Sequence, residues 1–155
     1  MSGAFINCAR CAGHTKTGAR CKNRTCLYAK YCNLHTEDVI IKKSQIAGTG
    51  NGLFAKHVIE KGETIGPYKG EKMTLAEFEA QVPDSDYGFQ YKKGHVIDAK
   101  KSQSCNTRNI NDARGSKFQN NARFSTNRGK VKVVAKKRIN RLKEIFLSYG
   151  PAYWR

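Results

Sequence analysis

Cysteine, histidine, tyrosine and a dense group of asparagines mark where this chain could do chemistry. Cys11-x9-Cys21-x10-Cys32-x2-His35 supplies three thiolates and an imidazole, the number and kinds of ligand that tetrahedral zinc takes. Cys8-x2-Cys11 with Cys32-x2-His35 is a rival set of equal form, Cys26 is a spare thiol and His14 a weaker ligand, so the choice of four stays open. A closed four-ligand shell leaves no position for catalysis, so this zinc reads as structural, its binding free energy replacing a core the segment cannot build. Downstream, Gly48-Thr49-Gly50-Asn51-Gly52 is a turn whose backbone a ligand can approach without side-chain obstruction. The stretch 106–124, NTRNINDARGSKFQNNARF, holds five asparagines and only three large apolar residues, Ile110, Phe118 and Phe124. It cannot order itself by burial, and if ordered it must wrap something polar. No Gly-x-Ser-x-Gly, no phosphate loop of the Gly-Lys-Ser/Thr kind and no working pair of carboxylates is present.

The elements that must hold these residues are mostly β. Residues 1–36 carry six bases, no acid and no periodicity, whereas short β-type segments separated by glycine begin at Val39-Ile40-Ile41. The expected division is therefore 1–36 and 37–155. Strands are expected near 39–43, 52–58, 64–72, 87–92, 95–99, 131–138 and 144–149, with hairpin tips at Lys92-Lys93-Gly94 and Asn127-Arg128-Gly129. Thr74-Leu75-Ala76-Glu77 is a capping box that starts one surface helix, with Leu75, Phe78 and Val82 on one face and Pro83 as its stop. A short helical turn is expected near 106–110.

Lys and Arg outnumber Asp and Glu by 29 to 12, a net charge of +17. A balance that basic predicts contact with a polyanion, nucleic acid above all, and the run 128–143, with eight bases and no acid, is the expected face. Five of the six cysteines lie between Cys8 and Cys32, which argues for metal over disulfides and for a reducing compartment. Ala4-Phe5-Ile6 is too short for a signal peptide and no stretch approaches a membrane span, so the sequence reads as soluble with no membrane partner.

Four separated pieces stand in order: 48–55 (GTGNGLFA), Tyr68-Lys69-Gly70, Ile97-Asp98-Ala99 leading to Arg108-Asn109-Ile110-Asn111-Asp112, and 144–150 (EIFLSYG) followed by Tyr153-Trp154. Together they resemble the SET domain of protein lysine methyltransferases over about residues 38–155. The compact length resembles the minimal SET proteins encoded by large DNA viruses, and the cysteine segment resembles small zinc knuckles. The resemblance implies a SET fold of short β-sheets with a carboxy-terminal pseudo-knot, in which 106–124 meets 144–149. It implies S-adenosylmethionine as methyl donor and a lysine of a histone tail, or of another basic nucleic-acid-associated protein, as acceptor. By that likeness Thr49, Gly50, Asn51, Gly52, Tyr87, Arg108, Asn111 and Asp112 would hold the donor and Trp154 would lie against its adenine. Tyr149 would be the central catalytic tyrosine, with Tyr68 beside it. The implied setting is the nucleus or another reducing compartment, in a host cell or virion if the chain is viral.

Departures from the family pattern carry expectations of their own. Asn111-Asp112-Ala113 stands where Asn-His-Ser is usual, the gap from Asn111 to Asn121 is long, and Leu142-Lys143-Glu144 replaces Gly-Glu-Glu. No cysteine cluster follows Gly150, so closure of a lysine channel falls to Tyr153-Trp154, a partner subunit in a homodimer, or the substrate. Leu147, where Phe or Tyr is common, leaves room for more than one methyl. The acids Glu60, Glu63, Glu71, Glu77, Glu79, Asp84 and Asp86 are expected to face a basic peptide. The rival function is a zinc-dependent nucleic-acid-binding module on an inactive SET scaffold.

Overall fold

The structure, a computed structural model, describes residues 9–12, 19–22, 24, 25, 39–101 and 104–150. The chain divides into two compact units, Met1–Asp38 and Val39–Arg155. In the first, β1 (Ala9–Arg10) pairs antiparallel with β2 (Arg24–Thr25). Cys11 and Cys21 pack together there, both buried. Arg10 Nε donates to the Cys21 carbonyl at 2.8 Å and Arg20 Nε to the Cys11 carbonyl at 3.3 Å, so each arginine bonds the cysteine that neighbours the other arginine in sequence.

The second unit is built from three small sheets. The strands in order are β3 (Val39–Lys43), β4 (Asn51–Ala55), β5 (Thr64–Pro67), β6 (Glu71–Thr74), β7 (Gly88–Lys92), β8 (His95–Asp98), β9 (Ala122–Asn127), β10 (Lys130–Ala135) and β11 (Glu144–Ile145). They pair as β11-β4-β3, β5-β10-β9 and β6-β8-β7. Leu53, Ala55, Ile59, Ile65, Ile110, Val133, Ile139, Ile145 and Leu147 form the main core, and Tyr68, Ile97, Ala99 and Val131 a second cluster. Phe124 packs against both.

Local chemistry accounts for most boundaries. Thr74 Oγ1 accepts from the Glu77 amide at 3.1 Å and Glu77 Oε2 from the Thr74 amide at 2.8 Å, the expected capping box of α1 (Leu75–Gln81). Arg128 and Gly129 both have positive φ, the two-residue turn that matches strand twist and closes the β9–β10 hairpin. The expected helical turn is the 3₁₀ segment Asn106–Asn109. Three expectations need correction. The strand expected at 64–72 is two strands, because Gly70 leaves the sheet to lie against the backbone of Asp98, where a Cβ would collide. The strand expected at 144–149 ends at Ile145, and Phe146 and Leu147 make single parallel bridges to Asn111 and Ala122. Strand β9 was not among the expected strands, although the expected tip at Asn127-Arg128-Gly129 closes it, because its start is hidden in the asparagine-rich stretch.

Candidate active site

Residues 145–147 lie between the two limbs of the 106–124 loop. The Phe146 carbonyl accepts from the amides of Asn121 and Ala122, each at 2.9 Å, while the Leu147 amide donates the other way to the Asn111 carbonyl at 3.0 Å. One peptide unit thus bonds both limbs, since its C=O and N–H point in opposite directions. The asparagines serve this lacing. Asn121 donates to the Glu144 carbonyl and accepts from the Phe146 amide. Asn111 Nδ2 donates to the Asn51 carbonyl at 2.9 Å, tying the loop to the glycine-rich turn. Asp112 is buried, with Oδ1 accepting from the Arg114 amide and from Asn120 and Oδ2 from the Tyr149 amide at 2.9 Å.

The same lacing builds one wall of a groove of about 1200 Å³. The turn Gly48, Thr49, Gly50 and Asn51, tied to that wall through Asn111, also lines the groove, as do Leu75 and Phe78 of α1. That helix has no buried residue, so its apolar side edges the groove instead of filling the core. Tyr149 donates its hydroxyl to the Ile110 carbonyl at 2.7 Å, and Tyr68 donates to the Tyr87 carbonyl at 2.7 Å. Tyr68 is wedged edge-on against Phe124 and Phe89, whose rings stack 3.9 Å apart. Burial pushes the Tyr68 phenol well above its ordinary value, and the nearby charges of Cys105, Asp98 and Tyr149 push the same way. Both hydroxyl protons are committed to backbone carbonyls, so each phenol oxygen meets a substrate as an acceptor.

Of the residues singled out in the sequence, Thr49, Gly50, Asn51, Tyr68, Tyr87, Arg108, Asn111, Asp112 and Tyr149 line this one groove. Gly52 stands behind it. A Cβ at Gly52 would land on Glu144 Oε1, the oxygen to which Ser44 donates at 2.6 Å, while Oε2 accepts from the Gln45 amide. Glu144 therefore pins the start of the glycine-rich turn. Arg108 stacks 4.1 Å over the Tyr87 ring and donates to the carbonyls of Ala99 and Lys100, so much of its guanidinium serves the wall itself. Trp154, Cys32, His35, Cys8, His14 and Cys26 lie outside the described residues. Among the described residues no three metal-ligating side chains come together. Of the acids expected to face a peptide, Glu79 and Asp86 line the groove, whereas Glu77 caps α1 and Glu60 pairs with Arg138 at 3.7 Å. Phe89, Phe124 and the Ser44–Glu144 clamp were not anticipated. Phe124 carried a signal, being one of few large apolar residues in a polar stretch.

The SET domain family profile matches residues 50–150, and the chain belongs to that family. A chain in the solved structure of ctPRC2 in complex with H3K27me3 and H3K27M is 29% identical, with a TM-score of 0.62. The match covers 74% of this chain and 14% of that one. A chain in the Chaetomium thermophilum polycomb repressive complex 2 (PRC2) is 28% identical with a TM-score of 0.60, over 74% of this chain and 15% of that one. This protein thus spans about one seventh of the length of the solved chains it resembles. No curated protein matches it.

Proposed function

We propose that the chain is an S-adenosylmethionine-dependent protein lysine methyltransferase acting on histone tails or another basic, nucleic-acid-associated protein in the nucleus or another reducing compartment. The observation that carries this reading is the convergence of the glycine-rich turn, the Tyr149 phenol and the Tyr68 phenol on one groove of a SET domain. Gly48 and Gly50 have open space where a side chain would sit, so the turn offers bare backbone to a donor. The groove has room for a nucleoside bearing an amino acid, and Thr49, Gly50, Asn51, Tyr87, Arg108, Asn111 and Asp112 are the residues that would hold it, with Gly52 keeping the turn in place and Trp154 against the adenine.

When bound, S-adenosylmethionine would supply an electrophilic methyl on its sulfonium, with a neutral thioether as the leaving group for a lysine amine. What the chain contributes is alignment and a suitable amine. The acceptor lysine must first lose a proton, and walls of Phe89, Phe124, Leu147 and Tyr87 disfavour the ammonium by desolvation. Tyr149 and Tyr68, with their protons held by backbone, accept from the amine N–H groups and aim its lone pair. Glu79 and Asp86 in the lining suit a basic peptide approaching a chain of net charge +17. The solved PRC2 structures, one with H3K27me3 and H3K27M, support a histone as the first substrate to try. For the amino-terminal segment we retain a structural zinc ion on Cys11, Cys21, Cys32 and His35. The burial of Cys11 against Cys21 suits thiolate ligands of one ion.

The test is transfer of labelled methyl from S-adenosylmethionine to purified histones, with mass spectrometry locating the lysine. No transfer to histones or to a cell extract, together with no donor binding in calorimetry, sinks the reading.

A further inference from the structure

We propose that the outer face of the β9–β10 hairpin, with the pocket at its base, binds the phosphate backbone of double-stranded nucleic acid. The register places Lys130 opposite Asn127, Lys132 opposite Ser125 and Val134 opposite Arg123, and residues directly opposite share a face. Arg123, Lys130 and Lys132 are exposed on that face, and Arg128 is exposed in the turn. Phe124, Val131 and Val133 occupy the other face and turn into the cores, Phe124 also lining the active groove. The basic face therefore looks away from the groove, and a nucleic acid there leaves the groove open to a peptide.

At the base of the hairpin, Arg114, Lys136 and Lys137 line a second pocket of about 500 Å³ whose lining includes no carboxylate. The Lys136 amide bonds the Asn121 carbonyl, which fixes this pocket against the start of β9. Compensating acids are missing for a definite reason. Between Ser104 and Gly150 the only acids in the sequence are Asp112 and Glu144. Both are buried, their oxygens occupied by backbone amides and by Ser44 and Asn120. Arg123, Lys130, Lys132 and Lys136 have no carboxylate partner among the described residues. Arg138, which pairs with Glu60, is not counted in the surface.

The geometry favours a duplex. Six strand residues span about 17–20 Å at ~3.4 Å each, the rise of roughly five base pairs. Single strands are held by stacking on aromatic side chains; the hairpin's outer face presents none, and Phe118 in the pocket is already stacked on Phe146. A membrane would require apolar side chains to insert, and Val134, the apolar residue on this face of the hairpin, is buried. The site is independent of the methyltransferase reading and is tested without it.

The experiment is fluorescence anisotropy of a labelled DNA duplex titrated with the full chain from about 50 to 200 mM salt. Wild type should lose affinity steeply and linearly on a log–log plot. Lys130→Gln with Lys132→Gln should weaken binding roughly tenfold or more and shrink the slope by about two. Lys92→Gln with Lys93→Gln, at the other hairpin tip, should stay within about twofold of wild type. Arg123→Gln, melting like wild type, serves as the second variant should the lysine pair disturb folding. Wild-type affinity and slope in the lysine pair and in Arg123→Gln would overturn the proposal. So would tighter binding of a single strand of equal length, or preference for phosphatidylserine vesicles over the duplex.

Discussion

Tyr149 is held at two atoms, its amide by Asp112 Oδ2 and its hydroxyl by the Ile110 carbonyl. Removing the hydroxyl alone leaves the ring and the amide anchor in place. Tyr149→Phe should fold, at a cost of about 1 kcal/mol for the lost hydrogen bond, yet slow methyl transfer by ~100-fold or more, read as initial rates on a histone substrate. Tyr68 makes a different prediction. Its folded-state proton affinity is raised by burial, whereas in the unfolded chain the phenol titrates at its ordinary value near 10. Below that value the phenol is neutral in both states and contributes its full stability. Above it the unfolded chain releases the proton first, so stability falls as pH rises. Urea denaturation of wild type between about pH 9 and 11 should show this loss, and Tyr68→Phe should show a shallower one.

Turns and clamps carry the predictions that belong to single elements. The Glu144 carboxylate holds Ser44 and Gln45 only because Gly52 has no side chain in its path. Gly52→Ala should push Glu144 aside, lower the melting temperature and weaken donor binding roughly tenfold, about 1.4 kcal/mol, by calorimetry with S-adenosylmethionine. Leu142 has φ of 67° and is half exposed, a backbone state that costs a branched side chain about 1 kcal/mol. Leu142→Gly should therefore raise the melting temperature by a few degrees despite glycine's extra entropy when unfolded, as differential scanning fluorimetry would show. In the hairpin, Asn127 to Lys130 was legible because turn chemistry is local. The β9 strand before it was not, because Arg123, Ser125 and Asn127 give a polar outward face that reads as loop until Phe124 is seen packed against both cores.

At the scale of the whole molecule, net charge and the proposed zinc matter most. A chain of +17 with its carboxy-terminal acids buried should associate with polyanions in a salt-dependent way, whatever its enzymology. The amino-terminal unit has its own cysteine pair and a polar composition that cannot supply a core. Elemental analysis should find one zinc per chain, released by a strong chelator with loss of protease resistance confined to Met1–Asp38. Retention of resistance in that unit after complete metal removal would show that its packing does not depend on zinc.

By itself the sequence determined what short-range physics can encode. The capping box, the positive-φ turns, the alternating strands and the ordered motifs that define the family all rest on residues a few positions apart. Tyr149, Tyr68 and the glycine-rich turn were likewise legible, though only as members of a pattern. Tertiary structure decided which distant groups meet, because such pairings close loops of tens of residues and leave no mark on local spacing. It turned Asp112 into the anchor of the Tyr149 amide and Glu144 into the pin of a turn 100 residues away. It set Phe124 in the groove wall and left Lys130 and Lys132 on the opposite face without a carboxylate partner among the described residues, since Asp112 and Glu144 were drawn inside to satisfy buried amides.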